Sequence, residues 1–155
     1  MQWLELNNVE YGDCTVLGGK SHSILMVDCG SMNQKLRNPE MDMSDVFTAI
    51  RERYGDMTEK HFLLTHYHRD HLCGLLQILR ESPSYFDRVY IPYLPKDAKG
   101  NSPLLDFAIF ARAFLPVQTD CSQVNTSCLG IFNKLKTSVG ADRIFTLKAG
   151  EFFFF

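Results

Sequence analysis

No apolar run in these 155 residues approaches the roughly 18 to 20 needed to cross a bilayer, which excludes a membrane-spanning helix and predicts no membrane partner. The opening residues, MQWLELNNVEYGD, lack a basic stretch followed by an apolar one, so no secretory signal is read there and a cytosolic setting is expected. Charge of one sign is lacking too. Sixteen basic against eighteen acidic side chains leave a net charge of −2, so no global basic field draws in nucleic acid, and any such role needs a local patch. No two cysteines share a C-x-x-C spacing, and the set of five (Cys14, Cys29, Cys73, Cys121, Cys128) is odd. That fits neither a disulfide framework nor a zinc ribbon, and predicts buried reduced thiols, with Cys73 the one placed close enough to His71 to bear on its surroundings. Internal repeats and low-complexity linkers are also missing, which leaves a single globular domain, or part of one, as the expected organisation.

What is present is an ordinary core-forming composition, 45% apolar and 22% charged, which argues against disorder. The first thirty residues read as a meander of short strands over 3–9, 14–17 and 23–28, with a turn at Gly18-Gly19 and Gly30 closing the last. A polar loop follows over 31–43, then a helix capped by Ser44 with Val46, Phe47 and Ile50 on its apolar side and Gly55 at its end. Residues 61–65, HFLLT, form a short apolar run of the kind buried in mid-sheet, and they lead directly into HYHRDH. Leu72, Leu75, Leu76 and Leu79 recur at i, i+3, i+4 and i+7, which predicts an amphipathic helix beginning near Asp70. A strand is expected over 88–93, helices over 104–115 and 127–139, and a hairpin joining 143–147 to 151–155. Strands alternating with helices place the chain in the α/β (or α+β) class.

Three of the five histidines and an aspartate fall within the six residues from His66 to His71. Histidine is the commonest protein ligand for zinc and its neighbours. In extended backbone His66 and His68 project from one face, so both imidazoles can converge on a single ion, whereas on a helix they would diverge by about 200 degrees. Asp70 and His71 follow where the chain turns into the helix, and can address a second ion beside the first. Three blander readings compete: a solvated histidine-rich loop, Asp70 as the helix N-cap, and His66 as a hydrogen-bonded core residue. The density of the cluster favours metal over these. His22 and His61 lie outside it and are expected to be structural or surface residues.

The segment THYHRDHLCGL resembles the H-x-H-x-D-H signature of the metallo-β-lactamase superfamily, including the preceding Thr and the following Gly. GDCTVLGGKSHSILMVDCGS is similar to that family's N-terminal strands, with a G-D pair before one strand and a D-x-G turn closing the next. In style the chain is most similar to the hydrolase-like domain of bacterial DNA-uptake (competence) proteins. The resemblance implies the first half of an αββα sandwich, His66 and His68 on a first metal, Asp70 and His71 on a second, and two zinc ions in a complete domain, with iron or manganese as alternatives. Asp28 and Gly30 match the D-x-G turn. Asp28 is then either a carboxylate orienting a ligand from behind or a plain turn aspartate.

The family completes its site with a further His, a bridging Asp and a last His, and no histidine follows His71. A domain truncated at its C-terminus is therefore expected. The function implied is metal-dependent hydrolysis, in which ions lower the pKa of a shared water towards about 7 for attack on an ester or phosphodiester, carried by a small molecule or a nucleic acid. Asp70 is the catalytic candidate. Two rivals stand beside it: a catalytically incomplete remnant, and a partner-binding module that self-associates through an uncovered apolar sheet ending in FFFF.

Overall fold

The computed structural model describes residues 2–32, 42–92, 135, 137–148 and 150. Six strands, β1 (Trp3–Leu6), β2 (Thr15–Gly18), β3 (Ser23–Val27), β4 (Glu59–Leu63), β5 (Arg88–Pro92) and β6 (Ile144–Leu147), form one sheet in the order β1-β2-β3-β4-β5-β6. The first three pair antiparallel, β1 with β2 across the loop 7–14 and β2 with β3 across the turn 19–22. From β3 onward the pairing is parallel, so the chain must cross over between strands. The first two crossovers carry α1 (Met43–Arg53) and α2 (Arg69–Glu81). This is an α/β fold, with one sheet and one helical layer among the described residues.

Directly paired residues share a face, so the ladders show what each face carries. Val16, Met26, Phe62, Val89 and Ile144 are aligned across five strands. They pack into one core with Phe47 and Ile50 of α1 and Leu72, Leu75, Leu76, Ile78 and Leu79 of α2. Gly74 makes that contact close: a Cβ there would lie 2.6 Å from Cys29 Sγ and 2.7 Å from the Phe47 ring. Leu135 and Val139, from the helical residues just before Gly140, complete the core. The opposite face carries Leu25, His61, Leu63 and Tyr90 in the same ladders, the two-sided apolarity of parallel strands.

The strand ends shift by a few residues from their expected places. β1 stops at Leu6, and β4 spans Glu59–Leu63 rather than 61–65. The cap of α1 is a correction. Asp42, not Ser44, is the N-cap, because Asp42 and Asp45 each accept the other's backbone N–H and so satisfy two orphan amides where a serine would satisfy one. Ser44 instead accepts from Gln77 Nε2 of α2, beside an Arg51–Glu81 ion pair at 2.8 Å that joins the same helices. Of the expected C-terminal elements, β6 and the last residues of the 127–139 helix are described; the helix over 104–115, the strand over 151–155, Cys121 and Cys128 lie outside the described residues. Among the described residues no helix is long and apolar enough to cross a membrane.

Candidate metal centre

β3 delivers the chain to Asp28, whose φ of 53° lies in the left-handed region that aspartate tolerates better than most side chains. The turn sends residues 29–31 past the start of α2. There the Cys29 N–H donates to the His71 carbonyl at 2.8 Å, and the Gly74 and Leu75 N–H groups donate to the Cys29 carbonyl at 2.8 and 3.2 Å. Gly30 has no room for a side chain, since a Cβ would meet the Arg69 and Asp70 backbone at 2.6 Å. A second loop closes over this one: the Asp13 N–H donates to the Asp70 carbonyl at 3.2 Å, and a Cβ on Gly12 would collide with the Gly30 carbonyl. Three backbone segments distant in sequence are thus stacked at the C-terminal ends of β3 and β4, where open parallel sheets place their sites.

Asp28 is the buried centre of the site, only 3% exposed. Its Oδ1 accepts the Thr65 N–H at 2.8 Å, and its Oδ2 accepts the Thr65 hydroxyl at 2.6 Å and faces His71 Nδ1 at 2.9 Å. His66 and His71 rings lie 3.7 Å apart between centroids, and the exposed His68 ring meets His66 edge-on at 4.6 Å. Asp70 is in the first turn of α2 but does not cap it, since His68 holds the N-cap position. Asp70 Oδ2 stands 3.5 Å from His71 Nε2. Donor atoms of Asp28, His66 and His71 all lie within 4.8 Å of one another; His68 and Asp70 flank this group without joining it.

The donors suit a divalent ion. His71 turns Nδ1 to Asp28, which leaves Nε2 as the atom it could offer a metal, the usual arrangement for a metal-binding histidine. Two ligand atoms with bonds of about 2.1 Å around a tetrahedral ion stand roughly 3.4 Å apart, close to the separation between His71 Nε2 and Asp70 Oδ2. Burial, reinforced by the neighbouring His71 and His68 rings, holds His66 below the ordinary histidine range against the pull of Asp28 and Asp70. A neutral imidazole is the form a metal binds. The cysteines behind the site do other work. A hydrogen bond to Cys14, together with burial, holds the Cys29 thiol well above its ordinary range. Cys73 Sγ accepts from the Ser31 N–H at 3.2 Å and donates to the Ser31 carbonyl at 3.4 Å, tying the turn to α2.

A family model, that of the metallo-β-lactamase superfamily, matches residues 7–84, half of the chain and the whole of this site. The chain belongs to the metallo-β-lactamase superfamily. Comparison with curated proteins and with solved structures gave no match. Two residues of this superfamily member's site escaped the reading from sequence. Thr65 was visible only as the residue before the motif, and Asp13, whose Oδ2 lies 3.6 Å from His71 Nδ1, only as half of a G-D pair. Neither is signalled by spacing, because a strand end brings Thr65 to Asp28 and a loop brings Asp13 to His71 only through the fold.

Proposed function

We propose that the chain is a metal-dependent hydrolase whose substrate is an ester or phosphodiester. The observation that carries this reading is the convergence of Asp28, His66 and His71 at the C-terminal end of the sheet, inside the segment that places the chain in its superfamily. On this reading His66 and His68 hold one ion, Asp70 and His71 a second, and Asp28 orients His71 from behind. Zinc is the proposed metal, since imidazole and carboxylate donors suit it; iron and manganese are the alternatives a metal analysis would separate. A bound divalent ion supplies Lewis acidity and lowers the pKa of water at neutral pH. The chain's own part is to fix the ligands: the Asp28 carboxylate holds the proton on His71 Nδ1, and the first turn of α2 holds Asp70 beside Nε2.

The test is metal analysis of the purified chain after dialysis, followed by assay on an aryl ester and an aryl phosphodiester with zinc, iron or manganese restored. Stoichiometric metal with turnover supports the reading; metal retained without turnover would withdraw the hydrolase and leave the centre. Asp70→Asn should then lower kcat/KM by at least about 10² to 10³, the cost of removing a single preorganised group that stabilises the transition state. Its thermal midpoint should hardly move, because Asp70 caps nothing and a first-turn acid contributes only about 0.3 to 1 kcal/mol. A stability loss large enough to explain the lost activity would make Asp70 a structural residue.

A further inference from the structure

Asp28 touches one imidazole directly and a second through an intermediary. Thr65 Oγ1 lies 2.6 Å from Asp28 Oδ2 and 3.0 Å from His66 Nδ1. A hydroxyl has one proton and two lone pairs, and a carboxylate only accepts. The Thr65 proton is therefore directed at Asp28, and only lone pairs are left to face His66. A close approach of lone pair to ring nitrogen is stable only if Nδ1 carries the proton. His71, whose Nδ1 faces the same Asp28 oxygen at 2.9 Å, is held in the same way.

We propose that Thr65 is a positioning residue that relays the control of Asp28 to His66, so that one buried carboxylate fixes the tautomers of two imidazoles and turns the Nε2 lone pair of each to its own ion. The function of this relay rests on the metal-centre reading above, but the hydrogen-bond chain does not. Thr65 also gives its backbone N–H to Asp28 Oδ1, and that bond survives any change of side chain. Its side chain is exposed, so substitution should not disturb the core.

Thr65→Val keeps the shape and removes the hydroxyl; Thr65→Ser keeps the hydroxyl. In the metal-free chain, long-range proton–nitrogen NMR should show the proton of neutral His66 on Nδ1 in wild type and Thr65→Ser, and a shift towards Nε2 in Thr65→Val. Zinc titration against a chromophoric chelator should show Thr65→Val binding about 10- to 100-fold more weakly, the usual cost of losing an outer hydrogen bond to a ligand, with Thr65→Ser restoring most of the loss. Wild-type His66 protonated on Nε2, or Thr65→Val binding zinc as tightly as wild type, would overturn the relay. A wild-type chain with the Nδ1 proton in place and no zinc affinity would uphold the relay and sink the metal reading, so the two failures are distinct.

Discussion

Gly30→Ala should destabilise the chain by at least about 3 kcal/mol, at or beyond the upper end of ordinary overpacking, because the obstruction is backbone and not a movable side chain. The added methyl would sit 2.6 Å from the Arg69 carbonyl oxygen and the Asp70 carbonyl carbon, and 2.7 Å from His71 N, where relaxed contacts need about 3.5 Å or more. Neither partner can yield cheaply. The turn is bonded to α2 on both sides of Gly30, through Cys29 to His71, Gly74 and Leu75 and through Ser31 to Cys73 Sγ, and Gly12 presses on it from behind. Against a typical total of about 5 to 15 kcal/mol this is a large fraction of the stability, and any folded remainder should hold metal poorly because α2 has shifted with His71. Denaturant unfolding of the variant measures it. A change within about 0.5 kcal/mol, the range of an ordinary surface substitution, would show that the stacked backbones are looser than they stand here.

Asp28→Asn should lower zinc affinity by about 100-fold, the upper end for a partner behind a ligand, and cost about 1 to 3 kcal/mol of folding stability from buried groups left without partners. The substitution preserves volume, and asparagine accepts the left-handed φ of 53° as readily as aspartate, so backbone strain does not confuse the result. The chemistry is what changes. The amide oxygen can still take the Thr65 N–H, but the amide nitrogen then presents protons to the Thr65 hydroxyl and to His71 Nδ1–H. His71 escapes that opposition by moving its proton to Nε2, the atom that would bind the metal on the reading proposed above. Competition titration and denaturant unfolding on the same samples read both effects. Unchanged zinc affinity would reduce Asp28 to a turn aspartate, the plainer of its two readings from the sequence.

The parts legible in the sequence are those encoded by local pattern. The i, i+3, i+4, i+7 leucines mark α2 because a helix buries one stripe, and Leu72, Leu75, Leu76 and Leu79 are all buried in it. The D-x-G and H-x-H-x-D-H signatures stand out because glycine and histidine are needed for reasons no neighbour can replace. What stayed hidden depends on tertiary approach. Thr65 acquires its role only when the end of β3 meets the end of β4, and the contact of Asp13 with His71 exists only because its loop is pinned to α2. The α1 cap was misplaced because Asp42, Ser44 and Asp45 are all competent capping residues, and only reciprocity within one pair separates them. His61 was expected to be structural or on the surface; it is buried on the sheet face away from the helices, which is the structural alternative.

The change from antiparallel to parallel pairing at β3 also governs the order in which the molecule assembles. The β1–β2–β3 meander joins near neighbours and can close early, whereas the ladder that pairs Ser23 with Glu59 and Val27 with Leu63 must wait for a long loop to be ordered, and non-local pairing of this kind is slow. Asp28 lies on the early side of that divide and His66 and His71 on the late side. The bonds from Asp28 to Thr65 and His71 therefore cannot exist in a partly folded chain that has formed only its first hairpins, and on the reading proposed above an ion supplied during refolding would meet an oriented His71 only after β3 has closed on β4.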